Sequence, residues 1–486
     1  MESLKPVLAV LARVLMGFSL AFAVPLLWAL AVDEPWLAQV WGASLVATLL
    51  SGWLLARAMR RSRRELLPKD GFLLVNLVWV VLPAYSAVPL MFTVPGIDVA
   101  RAYFEAMSAL TATGATALSG LDALPVSVNV WRCFLQFIGG LGIILLVVAV
   151  LPLLGLGGMQ LYRAETPGPM KDAKLTPRIA ETARGLWVVY FVMSGACLLA
   201  YRWAGMSWAD AFMHMCTTMG LGGFSSHDAS FGHWNSPAIE WVAIVFMTLA
   251  GISFARYFIV WRSRSALPLL RDTEVRAYGV VLMAAVALVT VILLAHGTYD
   301  DPTEGLRAAA FQVVSLATTT GYASTDYLLW PAFAPVLLIF LGCFVSCAGS
   351  TGGGVKMVRM LLLVKQAHRE LVRIVHPRVV NPVTLGGSNV PVTVTAAVMA
   401  YMLIYGASTV GLTFLLLLSG LDLVTAFSAV IACVNNIGPG LGQVGPASNF
   451  GVLNDFQTWV CTFAMLLGRL ELLSVMVLFT AQFWRK

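Results

Sequence analysis

Ten stretches of this 486-residue chain are apolar over lengths near 20 residues: 7–32, 36–57, 72–92, 130–154, 186–203, 239–260, 277–294, 332–364 (interrupted), 392–418 and 458–481. A helix needs about 20 such residues to cross a hydrocarbon core of about 30 Å. The recurrence therefore predicts an all-α polytopic membrane protein with ten crossings. Composition excludes the soluble alternative. Only 11% of residues are charged and 59% are hydrophobic, whereas a soluble domain carries about 25% charged residues. The first stretch is too long for a secretory signal, and no small-residue cleavage site precedes Asp33 and Glu34, so it reads as a retained span.

Basic residues cluster in alternate loops. Of the 31 Lys and Arg, 26 fall in 57–69, 163–184, 256–276, 356–378 or near the two ends; Arg101, Arg132, Arg202 and Arg307 lie on the other side, and Arg469 lies inside the last apolar stretch. The positive-inside rule places both termini in the cytoplasm, as an even number of crossings requires. The net charge of +7 then reports topology and contact with anionic lipid headgroups, and nucleic acid is not an expected partner. The opposite face is acidic. Asp98, Glu105, Asp122, Asp210, Asp228, Asp300, Asp301, Glu304, Asp326, Asp422 and Asp455 would form a negative vestibule that concentrates cations, with Asp98 and Asp422 read as helix caps. The seven cysteines show no metal-ligand spacing; Cys343 and Cys347 sit four apart with no histidine beside them, so packed thiols are expected.

After the first two spans the order span, short segment, glycine, span occurs four times. The short segments are "DVARAYFEAMSALTATGAT", "SWADAFMHMCTTMGLGG", "DPTEGLRAAAFQVVSLATTTGYAS" and "DLVTAFSAVIACVNNIGPG", opening at Asp98, Ser207, Asp301 and Asp422 as helix N-caps. Each helical run is about 11 to 16 residues, or roughly 16 to 24 Å, too short to cross. Each therefore reads as a half-helix that enters and turns back. Phe104, Phe212 and Phe311 lie ten residues before Gly114, Gly222 and Gly321, and Phe427 lies eleven before Gly438. Irregular backbone at membrane depth is tolerated where it lines a watery path. Glycine permits the positive φ that turns carbonyls inward, and the C-terminal ends of the half-helices favour a cation. Four such turns would replace a cation's hydration shell with carbonyl oxygens. The expected architecture is four tandem span, pore-helix, span repeats around a pseudo-fourfold pore, plus two N-terminal spans. Its units are 1–64 (N-terminal helix pair), 65–160, 161–264, 265–380 and 381–486.

At these residues the chain resembles the Trk and Ktr superfamily of potassium-uptake transporters, and within it the TrkH-type branch. "TATGAT", "GLGGFSSHD", "TTTGYAST" and "NNIGPGLG", in that order, resemble the family's four filter loops, and "AGSTGGGVKMVR" resembles the loop that breaks its third repeat. The extra N-terminal pair favours the TrkH type over the Ktr type. The resemblance implies a potassium path through a filter of Thr111, Ala112, Thr113, Gly114 and Ala115; Met219, Gly220, Leu221, Gly222 and Gly223; Thr318, Thr319, Thr320, Gly321 and Tyr322; and Asn435, Asn436, Ile437, Gly438 and Pro439. It makes glycine the key position in every loop (Gly114, Gly222, Gly321, Gly438), where a serine in the first would point to sodium. Leu221 and Ile437 stand where the other loops have Thr113 and Thr320, so the symmetry is imperfect. The bound ion would be potassium, with no organic cofactor. The resemblance further implies a homodimer in the bacterial inner membrane and a cytosolic NAD- or ATP-binding regulatory subunit of the TrkA type.

Two elements look like a gate. "SCAGSTGGGVK" interrupts an apolar span with Gly349, Ser350, Thr351, Gly352, Gly353 and Gly354, where a helix would cost about 1 kcal/mol per glycine. It is no phosphate-binding loop, because Val355 precedes the lysine and Met357 follows it. By resemblance it is an intramembrane gate; a passive kink is the alternative. Arg469 stands within the last apolar stretch, where an arginine needs a partner or water. Glu471, two positions on, faces elsewhere on a helix. The expectation is that Arg469 projects under the filter onto the carbonyls of the 349–354 loop; a packing ion pair is the alternative. His227 and Asp228 follow the second filter loop and read as capping residues, with tuning of cation entry as the alternative, and the remaining histidines (His214, His233, His296, His368, His376) show no ligand spacing. The basic stretch 365–378 suits a docking surface or lipid headgroups. No nucleophile, paired acid or histidine cluster points to an enzyme. A proton- or sodium-coupled cation carrier stays open as an alternative to a potassium pore, although such carriers generally use ionisable groups at mid-membrane.

Overall fold

A computed structural model describes residues 4–60, 67–145 and 175–485. The expected unit boundaries at 64/65 and 160/161, the 146–154 end of the fourth span and parts of the basic loops 57–69 and 163–184 lie outside these residues. Among the described residues the regular secondary structure is helical apart from one small hairpin, Thr384–Leu385 with Ser388–Asn389. Helices α1 (Lys5–Ser19) and α2 (Ala23–Ala31) form one span through a 3-10 turn and pack antiparallel to α3 (Pro35–Ala58).

Four repeats follow. Repeat 1 is α4 (Pro68–Thr93), α5 (Val99–Leu110) and α6 (Val126–Leu145); repeat 2 is α7 (Leu175–Trp203), α8 (Trp208–Met219) and α9 (Pro237–Ala250) continued by α10 (Phe254–Ser263). Repeat 3 is α11 (Thr273–Ala295), α12 (Pro302–Ala317) and α13 (Phe333–Gly342), then α14 (Met357–Val375); repeat 4 is α15 (Val392–Leu418), α16 (Leu423–Val434) and α17 (Asp455–Arg469) followed by Leu473–Phe479. The half-helices α5, α8, α12 and α16 contain 12, 12, 16 and 12 residues. Each starts where a side chain satisfies an orphan backbone N–H: Asp98 accepts from Arg101, Ser207 from Asp210, Asp301 from Thr303 and Asp422 from Thr425.

Packing closes the repeats into a ring. Each half-helix packs inside its own pair of spans, and the second span of each repeat also packs against the next half-helix: α6 on α8, α9 on α12, α13 on α16, and α17 back on α5. Glycines permit this approach. The Cα of Gly139 lies against the Leu110 carbonyl, that of Gly342 against Leu316 and that of Gly468 against Val434; a methyl group added there would come within 2.0, 2.8 and 1.9 Å of those oxygens. These glycines seat three second spans on the C-terminal ends of their own half-helices.

Of the ten expected crossings, seven are unbroken among the described residues and three are broken, and the broken segments touch one another: the Cys347 N–H donates to Gly251 O and Arg469 donates to Thr351 O. The second span of repeat 2 bends by 85° between Ala250 and Phe254, and that of repeat 4 bends by 107° after Arg469. The second span of repeat 3 stops at Gly342 and resumes at Met357. Irregular backbone from three repeats is thereby delivered to the space under the half-helix ends.

Candidate functional site: ion filter and gate

The four loops leave their half-helices in one conformation. After the C-cap residue a non-glycine residue turns left-handed: Ala112 (φ 50°), Leu221 (50°), Thr319 (62°) and Asn436 (53°). Two residues on, a glycine is left-handed: Gly114 (82°), Gly223 (77°), Gly321 (85°) and Gly438 (105°). Between them, the N–H groups of Thr113, Gly222, Thr320 and Ile437 each donate to the carbonyl five residues back, at 2.8 to 2.9 Å.

This geometry corrects the register expected for the second loop. Gly222 is the counterpart of Thr113, Thr320 and Ile437, and Gly223 is the counterpart of Gly114, Gly321 and Gly438. Phe224 then matches Ala115, Tyr322 and Pro439, and Met219 is the last residue of α8. The phenylalanine spacing divides accordingly. Phe104 and Phe311, ten before their glycines, are fully buried, whereas Phe427, eleven before its glycine, is 48% exposed.

In the corrected register the loops form a closed cycle. A methyl group on Gly114 would lie 2.1 Å from the carbonyl oxygen of Gly222; on Gly223, 1.9 Å from that of Thr320; on Gly321, 2.1 Å from that of Ile437; and on Gly438, 3.1 Å from that of Thr113. Each glycine thus abuts the carbonyl that precedes the next repeat's glycine. Any side chain at these positions would displace a ring carbonyl. A cavity of about 560 Å³, including the solvent at its mouth, is lined by Gly114, Gly223, Gly321 and Pro439.

Side chains behind the ring hold it. Thr111 and Thr113 share a 2.7 Å hydroxyl contact, as do Thr318 and Thr320, while Asn436 Nδ2 donates to Thr113 Oγ1 at 2.8 Å and ties the fourth loop to the first. Gln136 clamps the second loop, donating to the Gly222 carbonyl (2.8 Å) and accepting from the Phe224 N–H (3.1 Å). The Tyr322 hydroxyl meets Thr217 and Thr218. Glu105, expected in the vestibule, is instead fully buried with Arg132 at 2.7 Å; Arg132 also donates to Ser225 O (3.3 Å) and covers the Phe224 ring (4.5 Å). Asp326 caps Leu328, as Asp301 and Asp422 cap their half-helices. Glu105 therefore drops out of the vestibule's charge, while the capping aspartates keep theirs.

The 349–354 loop lies beneath the ring. Thr351 Oγ1 donates to the Met219 carbonyl (2.9 Å), and the Gly353 N–H donates to Thr319 Oγ1 (2.8 Å). A methyl on Gly353 would come 2.1 Å from the Asn435 carbonyl, and one on Gly352 would come 3.0 Å from that of Thr318. Three filter loops are touched in this way. Arg469, 3% exposed, reaches the fourth repeat's boundary with the first: its two terminal nitrogens donate to Thr351 O (2.9 Å) and Gly139 O (3.1 Å). Glu471 pairs with Arg359 instead. Gly349 and Ser350 complete the loop; Gly349 O accepts from Phe254 N (3.1 Å), and Ser350 Oγ contacts Ser346 (3.0 Å).

Sequence reasoning missed the loop's anchors. Lys356, assigned to the cytoplasmic basic cluster, is buried with a left-handed backbone (φ 66°), and its ammonium donates to Gly352 O at 2.7 Å. Glu274 of α11 accepts from the N–H groups of Ala348 (2.7 Å) and Val358 (3.1 Å), clasping the loop on both sides. It also missed that His227 and His233 stack, with ring centroids 3.6 Å apart. No disulfide joins the seven cysteines, all of which are among the described residues.

A closed cycle of four span, half-helix, span units with main-chain oxygens at its centre defines a multi-pass membrane protein built for passing ions. The chain belongs to the TrkH family of cation transport proteins, whose model matches residues 38–486. It is 43% identical over 491 residues to the Trk system potassium uptake protein TrkH of Halomonas elongata, covering 100% of both chains. It is 46% identical over 429 residues to the protein of that name from Vibrio parahaemolyticus, covering 88% of each. Its fold matches the crystal structure of the potassium transporter TrkH from Vibrio parahaemolyticus with a TM-score of 0.92 and 40% identity, covering 99% of each chain.

Proposed function

We propose that this chain takes up potassium across the bacterial inner membrane through a filter made by the ring of carbonyls at Thr113, Gly222, Thr320 and Ile437 and their neighbours in the four loops. The observation that carries the reading is the closed contact cycle in which each filter glycine abuts the next repeat's carbonyl. Such a ring replaces the hydration shell of a monovalent cation, and the relatives' shared name supplies potassium as the ion. The gate consists of the 349–354 loop and Arg469. The loop contacts the inner ends of three filter loops, and the guanidinium places a positive charge below the ring while bridging the loop to α6. In the open state both must leave the axis.

Both termini are taken to be cytoplasmic on the distribution of basic residues. The relatives are named as parts of a Trk system, which supports a cytosolic nucleotide-binding partner of the TrkA type. Helix α14, which carries Lys365, Arg369 and Arg373, follows the gate loop directly and could transmit its binding. A homodimer is inferred from the family. The test is rubidium and potassium flux into liposomes with sodium as competitor. Gly321→Ser is expected to reduce the preference for potassium over sodium, and an unaltered ratio would count against the filter assignment.

A further inference from the structure

Outside the filter, two histidines that the sequence separates by five residues meet an aspartate from another repeat. The donor atoms of Asp122, His227 and His233 all lie within 4.8 Å of one another. We propose that these three side chains bind a divalent transition metal of the zinc type at the outer mouth of the filter cavity, and that the bound ion obstructs cation entry.

The loops bring these groups together, and the two stacked rings must turn for both lone pairs to meet one ion. Asp122 lies in the turn Leu121–Ala123 after the first filter loop, and its Oδ2 accepts from the Asp228 N–H at 3.1 Å. Asp228 in return accepts from the Leu121 N–H at 3.0 Å, so the two loops are stitched in both directions. His233 ends the turn Ser230–His233, which the Phe231 N–H anchors to the Ala323 carbonyl of the third repeat at 2.9 Å. The imidazoles of His227 and His233 stack within 8° of parallel, and Trp234 meets both edge-on at 5.0 and 5.1 Å.

Two imidazoles and one carboxylate suit zinc, copper or nickel, whereas magnesium and calcium need many oxygens. A tetrahedral ion would keep a fourth position for water. His227 Nδ1 contacts Asp122 Oδ1, and His233 Nδ1 is 3.8 Å from the same oxygen. A metal would replace this contact between His227 and Asp122. Behind His227, Nε2 lies 3.3 Å from Asp210 Oδ1, and Asp210 is held by Ser207 and Ser226. This carboxylate faces the imidazole from its far side, where partners of metal-bound histidines sit. His227 lines the cavity together with Gly114 and Gly223, so an ion held there sets a fixed double charge in the approach to the ring.

Binding is tested with the full-length protein in detergent, titrated calorimetrically with zinc chloride and, separately, magnesium chloride. Saturable zinc binding without magnesium binding is expected, with about tenfold or greater weakening in His233→Ala. Asp122→Asn serves as a second variant should His233→Ala fail to fold, which potassium flux without zinc will reveal. In liposomes, external zinc should suppress flux through the natural protein and leave His233→Ala unaffected. Absence of zinc binding, or equal binding by both variants, overturns the site; binding that leaves flux unchanged overturns the obstruction. The flux arm rests on the potassium reading and the calorimetric arm does not, so the two can fail separately.

Discussion

Replacing Gly223 by alanine separates the two possible registers of the second filter loop. The added methyl would sit 1.9 Å from the Thr320 carbonyl oxygen, where ordinary contact begins at 3.4 Å, so the ring must open by 1.5 Å at that point. Holding alanine at φ 77° costs about 1–2 kcal/mol, and overpacking adds about 1–3 kcal/mol. The total, about 2–5 kcal/mol, corresponds to roughly 30-fold or more if it falls on the ion-occupied ring, at about 1.4 kcal/mol per tenfold. Rubidium uptake into liposomes against graded sodium reads this directly. Gly223→Ala should lose potassium preference to the same degree as Gly114→Ala. Gly222→Ala should differ in kind. Gly222 is not left-handed, and its methyl would meet the Gln136 carboxamide 2.4 Å away, the movable end of a side chain. Displacing that amide loses up to two hydrogen bonds at about 1 kcal/mol each, one of them to the Gly222 carbonyl of the ring, so thermal stability falls and the ion ratio shifts less than in Gly223→Ala. Normal selectivity in Gly223→Ala with lost selectivity in Gly222→Ala would refute the register and the ring built on it.

Arg469→Ala should raise potassium flux, because it removes both the charge below the ring and the bridge from Thr351 O to Gly139 O; unchanged flux with reduced expression would support a packing role. Arg469→Lys can reach only part of that bridge with a single ammonium, and intermediate flux is expected. Gly353→Ala drives a methyl to 2.1 Å from the Asn435 carbonyl and should push the loop off the filter, seen as higher flux without any regulatory partner. Glu105→Gln leaves the Arg132 guanidinium buried without its counter-charge; a loss of about 3–5 kcal/mol is expected, read as a lower Tm in detergent with the ion ratio preserved in the surviving protein.

What the sequence made legible was local. A half-helix declares itself by a cap and by a length too short for the membrane, and all four start at the expected residues, Asp98, Ser207, Asp301 and Asp422. The 349–354 segment declares itself as a loop by glycine cost alone, although no such local rule assigns it a gating role. The register of "GLGG" does not. It offers glycine at three of four positions, and the deciding facts are the left-handed turn at Leu221 and the bond from Gly222 N–H to the Thr217 carbonyl. The charged residues mislead for a related reason. Counting charges assigns Glu105 to the vestibule and Lys356 to the cytoplasm, because a partner such as Arg132, 27 residues away, is invisible to any local pattern. Yet a buried charge persists only where its partners are in place, so each such residue marks a contact the fold must make. Arg132 ties α6 to the second of the four loops, Lys356 bonds back to Gly352 within the 349–354 loop, and Glu274 clasps that loop from α11. The bonds from Arg132 and Glu274 are long-range and tie the ring and the 349–354 loop to distant helices, and that dependence explains why a sequence reading can locate both elements while leaving these attachments unseen.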